Sequence, residues 1–253
     1  MRNYRLSRSS MKQYNILKGK NVFITGATGG LGSHIASEFT KAGCNLYLTA
    51  TDHDKLEELS KLLKKKANSI QKIVHQQGDL RSNETLSFLA EDAKDKFGNI
   101  DILVNCAGVF IVQPLYKTTI DKYDNCFDVN VRAPFYFCRA FIEGMVFNKW
   151  GRIINIGSSS SYDGFKETSA YCASKHALLG LSRSLHDEYK HMNIRTFCFS
   201  PGSIKTRMGK KVKNQDFETF INPEEISEYI AFTISFDNEM VNEEIRLNRV
   251  NIQ

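Results

Sequence analysis

The sequence predicts an α/β fold: one doubly wound parallel sheet of about seven strands, in a single domain. Two observations carry this. Short runs of β-branched and aliphatic residues alternate with longer amphipathic stretches along the chain. The first such run leads directly into a cluster of glycines, Gly26, Gly29, Gly30 and Gly32. Strand–helix alternation with right-handed crossovers puts helices on both faces of a parallel sheet, and ligands then bind beyond the carboxyl ends of the strands.

The elements follow in order. Asn21-Val22-Phe23-Ile24-Thr25 is an apolar strand, and residues 31–41 form the helix after the glycines. A second strand spans 45–49, and a helix rich in Leu, Glu and Lys spans 54–66. Residues 70–75 read as the third strand and 82–97 as a helix opened by Ser82, a good N-cap. Strand 101–105 is followed by one long helix over 121–147, strand 152–157, helix 169–191 and strand 194–199. A helix over 223–235 and a strand over 244–250 close the chain.

The 253 residues suffice for one sizeable core, with 42% hydrophobic and 25% charged residues. No apolar run reaches the length of a bilayer span, so no membrane association is expected. The net charge of +6 is too small and dispersed to argue for nucleic acid. The six cysteines form no C-x-x-C pair and no Cys/His cluster with metal-ligand spacing. They read as small core residues of a protein in a reducing, cytoplasmic compartment, with no metal. Residues 1–18 carry Arg2, Arg5, Arg8, Lys12 and Lys18 without an acid. They are expected to be a disordered basic extension, or one arising from a start upstream of Met11, in preference to a transit peptide. Residues 19–253 then form the single domain.

Thr25-Gly26-Ala27-Thr28-Gly29-Gly30-Leu31-Gly32 sits between a strand and a helix in the first βαβ unit. Glycines there let the backbone turn tightly and approach a pyrophosphate, and the helix N-terminus offers N–H groups to the anion. The setting predicts a Rossmann-type dinucleotide site that includes Gly26, Thr28, Gly30, Leu31 and Gly32. The end of the second strand discriminates between cofactors. An acid there would bind the ribose 2′-hydroxyl of NAD and repel a 2′-phosphate. Ala50 holds that position, Thr51 can donate to a phosphate, and Asp52 lies close enough to bend back. NADP(H) is therefore expected.

Tyr171 and Lys175 are four apart in a helical stretch, which places both on one face. An ammonium beside a phenol lowers its pKa from about 10, so the tyrosine can exchange a proton near neutral pH. A bare Y-x-x-x-K is common, and its neighbours decide its meaning. Asn105-Cys106-Ala107-Gly108 follows the fourth strand, Asn130 stands in Asp128-Val129-Asn130-Val131, and Ser158 lies thirteen residues before Tyr171. Pro201-Gly202 is followed by Thr206 and Met208. With T-G-x-x-x-G-x-G at Thr25 to Gly32, these motifs resemble, in order and spacing, the short-chain dehydrogenase/reductase family over residues 20–250. The Thr49-Ala50-Thr51 stretch is similar to that of the NADPH-dependent 3-oxoacyl-carrier-protein reductases of that family.

The resemblance implies an oxidoreductase that interconverts a ketone and a secondary alcohol by hydride transfer. It implies that Tyr171 is the acid or base, that Lys175 lowers its pKa and binds the nicotinamide ribose, and that Ser158 binds the substrate oxygen. Asn130 is implied to hold a water linking Lys175 to solvent. Asp79 is implied to contact adenine, with Leu80 beside it, while Asn105, Ala107 and Gly108 line the cofactor cleft. Pro201 and Gly202 belong to the same site, and Ile204 and Thr206 meet the nicotinamide amide. Only spacing selects Ser158 over Ser159, Ser160 and Ser161.

There are departures. Gly29 stands where many NADP-dependent members carry a basic residue, and the D-G-G tail is missing. The loop also fits T-G-x-x-G-x-x-G, the pattern of nucleotide-sugar epimerases and dehydratases, although N-C-A-G and Pro201-Gly202 argue against that branch. A non-catalytic NADP(H)-binding protein is the other alternative; members that lose catalysis usually lose the tyrosine or lysine, and both are present. The apolar faces of helices 121–147 and 169–191 imply a homodimer or homotetramer. The segment Ser203 to Lys213 carries five basic residues and no acid, which would suit a small carbonyl or alcohol substrate on an anionic carrier.

Overall fold

The strand-forming runs pair into a seven-stranded sheet in the order β3-β2-β1-β4-β5-β6-β7, with every pair parallel. The strands are β1 Asn21–Thr25, β2 Asn45–Ala50, β3 Ile73–Gln77, β4 Ile102–Asn105, β5 Gly151–Ile156, β6 Ile194–Pro201 and β7 Glu244–Leu247. The helices are α1 Gly32–Lys41, α2 His53–Lys64, α3 Asn83–Phe97, α4 Ile120–Phe127, α5 Ala133–Asn148, α6 Ser169–Tyr189 and α7 Pro223–Ile234. This is a computed structural model that describes residues 14–212 and 215–250.

Both faces of the sheet are covered, which is why β1, β4 and β5 are buried nearly throughout. One core joins Ile35 and Phe39 of α1, Leu56 and Leu63 of α2, and Ile226 and Ile230 of α7 to the sheet. The other joins Leu86 and Leu89 of α3 to Phe137, Phe141 and Met145 of α5. Phe23 anchors the second face, stacked on Tyr47 at 5.0 Å and tilted against Phe137 at 4.7 Å.

The strand order reverses between β1 and β4, which opens the crevice where a doubly wound sheet takes its ligand. Ser82 caps α3 as expected, accepting from the Thr85 amide. Three expectations are corrected. The third strand begins at Ile73, not 70, because Asn68 and Gln71 close a turn on each other's backbone and leave Ile70 80% exposed. The long helix over 121–147 divides into α4, a wide π-helical turn Asp128–Arg132, and α5. Pro134, in the first turn of α5, has no N–H, so the Asn130 carbonyl loses the amide that would bond it four residues on. Leu17 falls inside the expected N-terminal extension but is fully buried in the core, and its carbonyl accepts from the Cys44 thiol. The rest of that extension, up to residue 13, lies outside the described residues.

Candidate active site

The crevice is built by backbone before it is furnished with side chains. Gly26 ends β1 with φ +65°, and a Cβ there would stand 2.7 Å from the Ala107 Cα. A Cβ on Gly32 would run into the Gly26 carbonyl. Thr25 locks the two loops together: its hydroxyl accepts from the Cys106 and Ala107 amides, both at 3.1 Å. Gly29 and Gly30 are exposed, Thr28 is half-buried, and Leu31 packs into the core. Thr206 lies over Gly30, where a Cβ would meet its Cγ2 at 2.7 Å. The glycine loop and the segment after β6 therefore meet across the crevice.

At the carboxyl ends of β4 and β5, four residues distant in sequence converge. Tyr171 and Lys175 sit in the first two turns of α6, 8% and 4% exposed. The Lys175 Nζ is 5.8 Å from the Tyr171 ring centre and donates to the Ile156 carbonyl at 2.6 Å. The Asn130 side chain is buried and fully engaged. Its Oδ1 accepts from the Val109 amide at 2.8 Å, and its Nδ2 donates to the Val109 carbonyl and to Ser174 Oγ, both at 3.0 Å. A Cβ on Gly108 would be 3.6 Å from Asn130 Oδ1 and 3.9 Å from Lys175 Nζ, so glycine there leaves the approach to both open.

Of the four consecutive serines, Ser160 and Ser161 are buried, and Ser161 Oγ accepts from the Ser158 amide. Ser158 is the one that acts on the Tyr171 phenol, and its Oγ also accepts from the Ser160 amide at 3.1 Å. Burial pushes the Tyr171 phenol up to about 12, and the hydrogen bond with Ser158 works against that rise. The depression by Lys175 that the resemblance implies is not found: burial sets the Tyr171 pKa, and Ser158 is what works against it. Burial likewise lowers the Lys175 pKa.

Thr51 and Asp79 line a cavity of about 770 Å³ beyond β2 and β3, with Arg81, Thr85 and Phe88. Arg81 grips the Asp79 carboxylate and holds its pKa below the usual range. Leu80 turns into the α3-side core. Asp52 does not bend back to the crevice: its carboxylate caps α2 on the Lys55 amide and pairs with the Lys55 ammonium. Asn105 corrects the expectation that it lines the cleft. Its side chain is 2% exposed and donates to Asn155 Oδ1 at 2.8 Å, whose amide continues to Ser182, so it ties β4 to β5 in the interior. Pro201 is buried at the end of β6, the Gly202 amide bonds the Leu247 carbonyl, and Ile204 bridges to Ile221.

Sequence reasoning missed three contributors. Ser174 and Cys126 hold the Asn130 amide from α6 and α4, and Phe110 packs edge-on against Tyr171 at 4.7 Å. Spacing pointed to none of them, since a serine between Tyr171 and Lys175 and an aromatic in a loop have many other uses.

The short chain dehydrogenase family matches residues 20–216. The chain belongs to this family. Among its relatives, a 3-oxoacyl-acyl-carrier-protein reductase of Rickettsia felis is 32% identical over 228 residues, 87% of this chain and 90% of that one. Estradiol 17-beta-dehydrogenase 11 of Mus musculus is 30% identical over 233 residues, covering 91% and 77%. Among solved structures, a metagenomic short-chain oxidoreductase in complex with NADP superimposes with a TM-score of 0.80 at 27% identity, covering 91% of this chain and 97% of that one. This short-chain dehydrogenase is an oxidoreductase by family, and no described helix is long and apolar enough to cross a membrane.

Proposed function

We propose that the chain reduces a ketone to a secondary alcohol with NADPH. The observation that carries this reading is the convergence of Ser158, Tyr171, Lys175 and Asn130 beside a side-chain-free approach at Gly108. The crevice fits a dinucleotide: Gly26 and Gly32 tolerate no Cβ, and exposed Gly29 and Gly30 leave the loop backbone bare for a pyrophosphate. Gly26, Thr28, Gly30, Leu31 and Gly32 would hold the phosphates, and Thr51, Asp79 and Leu80 the adenosine end. Ala107, Gly108, Lys175, Pro201, Gly202, Ile204 and Thr206 would hold the nicotinamide end. NADPH, when bound, supplies a hydride.

The protein's own residues supply the rest. Ser158 donates a hydrogen bond to the substrate oxygen, and Tyr171 gives that oxygen its proton. A phenol kept protonated by burial is suited to the reductive direction. Lys175 stabilises the phenolate that forms, and the Asn130 carbonyl, freed by Pro134, holds a water for reprotonation. Assaying NADPH oxidation against ketones, acetoacetyl thioesters and keto-sugars tests the proposal. Tight NADPH binding with no turnover on any of them would make the chain a binding protein instead.

The cofactor preference rests on Ala50, on the hydroxyl of Thr51, and on the Asp52 carboxylate being taken up by α2 and Lys55. Ala50→Asp is expected to shift the NADPH-to-NADH ratio of dissociation constants toward NADH by about tenfold or more, the equivalent of about 1.4 kcal/mol. Native protein that binds NADH as tightly as NADPH would overturn the assignment.

The same reading has the substrate arrive on an anionic carrier. Arg207, Lys210 and Lys211 are exposed on the segment after β6, whereas Lys205 is answered by Glu218 at 2.8 Å, and Lys213 lies outside the described residues. Changing Lys210, Lys211 and Lys213 to Ser is expected to raise KM several-fold for an anionic substrate and to flatten the salt dependence of kcat/KM. A small neutral ketone that responds equally would count against the carrier. Six free cysteines support a reducing, cytoplasmic setting, and Tyr123, Phe135 and Phe147, exposed on α4 and α5, support a homodimer or homotetramer.

A further inference from the structure

β4, β5 and β6 are adjacent and parallel, so the segments that leave their carboxyl ends lie side by side around Tyr171. These segments expose apolar side chains together. Val112 and Leu115 follow β4, Phe165 follows β5 and Met208 follows β6, with exposures of 37%, 74%, 50% and 39%. The first two segments are joined by the Gln113 amide donating to the Glu167 carbonyl at 2.6 Å. Phe110 stands innermost, its ring 4.7 Å from that of Tyr171. Isolated exposed apolar residues need no explanation, but apolar residues on each of these segments, with Phe110 against the phenol, call for one.

Three polar side chains of the same rim are already engaged. Gln113 Oε1 accepts from Lys122 at 2.7 Å, the Thr168 hydroxyl donates to the Phe165 carbonyl at 2.9 Å, and the Tyr162 hydroxyl donates to Glu244 at 3.2 Å. The charges of Asp163, Lys166 and Glu167 are exposed at the outer edge. A polyhydroxylated substrate would have to bury hydroxyls against Phe110 without partners, which is costly.

We infer that this site selects a ketone or alcohol whose group flanking the reacting carbon is apolar, and that Phe110 is the specificity-determining residue that packs on that group. The inference rests on the reading of Tyr171 as the proton donor and goes beyond it by excluding sugar-type carbonyls.

The test uses methyl alkyl ketones of increasing length, a dihydroxylated ketone of matched size, NADPH, and the native, Phe110→Leu and Phe110→Ala proteins. In the native protein kcat/KM is expected to rise about two- to fourfold per methylene, the gain from burying each CH2, and to do so through KM. Phe110→Leu should keep most of that slope and Phe110→Ala should flatten it. A flat native slope, a slope indifferent to Phe110→Ala, or a preference for the dihydroxylated ketone would overturn the inference while leaving the reductase reading intact. Calorimetric binding of alkanamides, unreactive carbonyl analogues, to the protein–NADP+ complex gives an answer without turnover. Affinity that climbs with chain length and loses that dependence in Phe110→Ala upholds the inference even if no ketone is reduced; affinity independent of length overturns it.

Discussion

Replacing Tyr171 with Phe is expected to slow ketone reduction by about 10²- to 10⁴-fold, the usual contribution of a positioned acid, while NADPH still binds. The ring is buried and packs on Phe110, so loss of the hydroxyl leaves the wall of the site in place. The effect belongs in kcat. Ser158→Ala is the companion experiment, because the Ser158 hydrogen bond offsets part of the rise that burial causes in the Tyr171 pKa. Without it the phenol ionises at still higher pH. Alcohol oxidation needs the phenolate, so its activity should turn on at higher pH in Ser158→Ala than in the native enzyme. A Tyr171→Phe enzyme of near-native kcat would remove the tyrosine from the chemistry.

The largest effect on stability is expected at the opposite end of the sheet. Arg152 enters β5 fully buried, and its guanidinium donates to the carbonyls of Gly151, Asn193, Ile234 and Phe236 and to Asp237 at 2.5 Å. It also lies over the Trp150 ring at 4.4 Å. Burial, then the nearby charge of Arg195, pulls its pKa down to about 10, so it stays charged at neutral pH. Arg152→Leu strips these acceptors of their donor and exposes no new partner. A cost of about 3–5 kcal/mol is expected in urea or thermal unfolding followed by circular dichroism. Asp237→Ala should cost less, about 1–2 kcal/mol, because that carboxylate is about a third exposed.

The pH dependence has a definite sign. Burial opposes ionisation of Asp237, yet the hydrogen bond from Asn193 and the Arg152 charge together hold its pKa below the ordinary carboxylate value. The stability it contributes is full above that ordinary value and is lost as pH falls through the lowered one. Native protein should therefore lose stability in acid more steeply than Asp237→Ala. Unchanged unfolding midpoints in Arg152→Leu would show that the guanidinium does not hold the α7–β7 connection.

Much of this arrangement is legible in the sequence because it is built by local rules. The strand at Asn21–Thr25, the glycines that follow and the Ser82 cap each announce themselves within a few residues. Tyr171 and Lys175 share a helix face by spacing alone, and Ser158 is singled out from its neighbours by its distance in sequence from Tyr171. What escaped is long-range. Asn105 and Thr51 have similar polar character, yet Thr51, just past β2, lines the cavity, whereas the register of β4 on β5 sets Asn105 opposite Asn155 and turns its side chain into the interior. Arg152 reads as an ordinary charge in a strand until acceptors of five residues close around it. Pro134 stands in the sequence, but the π-helical turn Asp128–Arg132 beside it, and the docking of the Asn130 side chain on Val109, depend on contacts that spacing does not announce.

Transfer of deuterium from C4 of NADPH is the most direct measurement of the central claim. With NADPH deuterated at the transferable position and an apolar methyl ketone, the label is expected at the carbinol carbon of the alcohol, stoichiometric with NADPH consumed, and absent when Tyr171→Phe is used over the same time. NADPH that binds but yields no labelled alcohol from any ketone, thioester or keto-sugar would contradict the assignment of this chain as a carbonyl reductase.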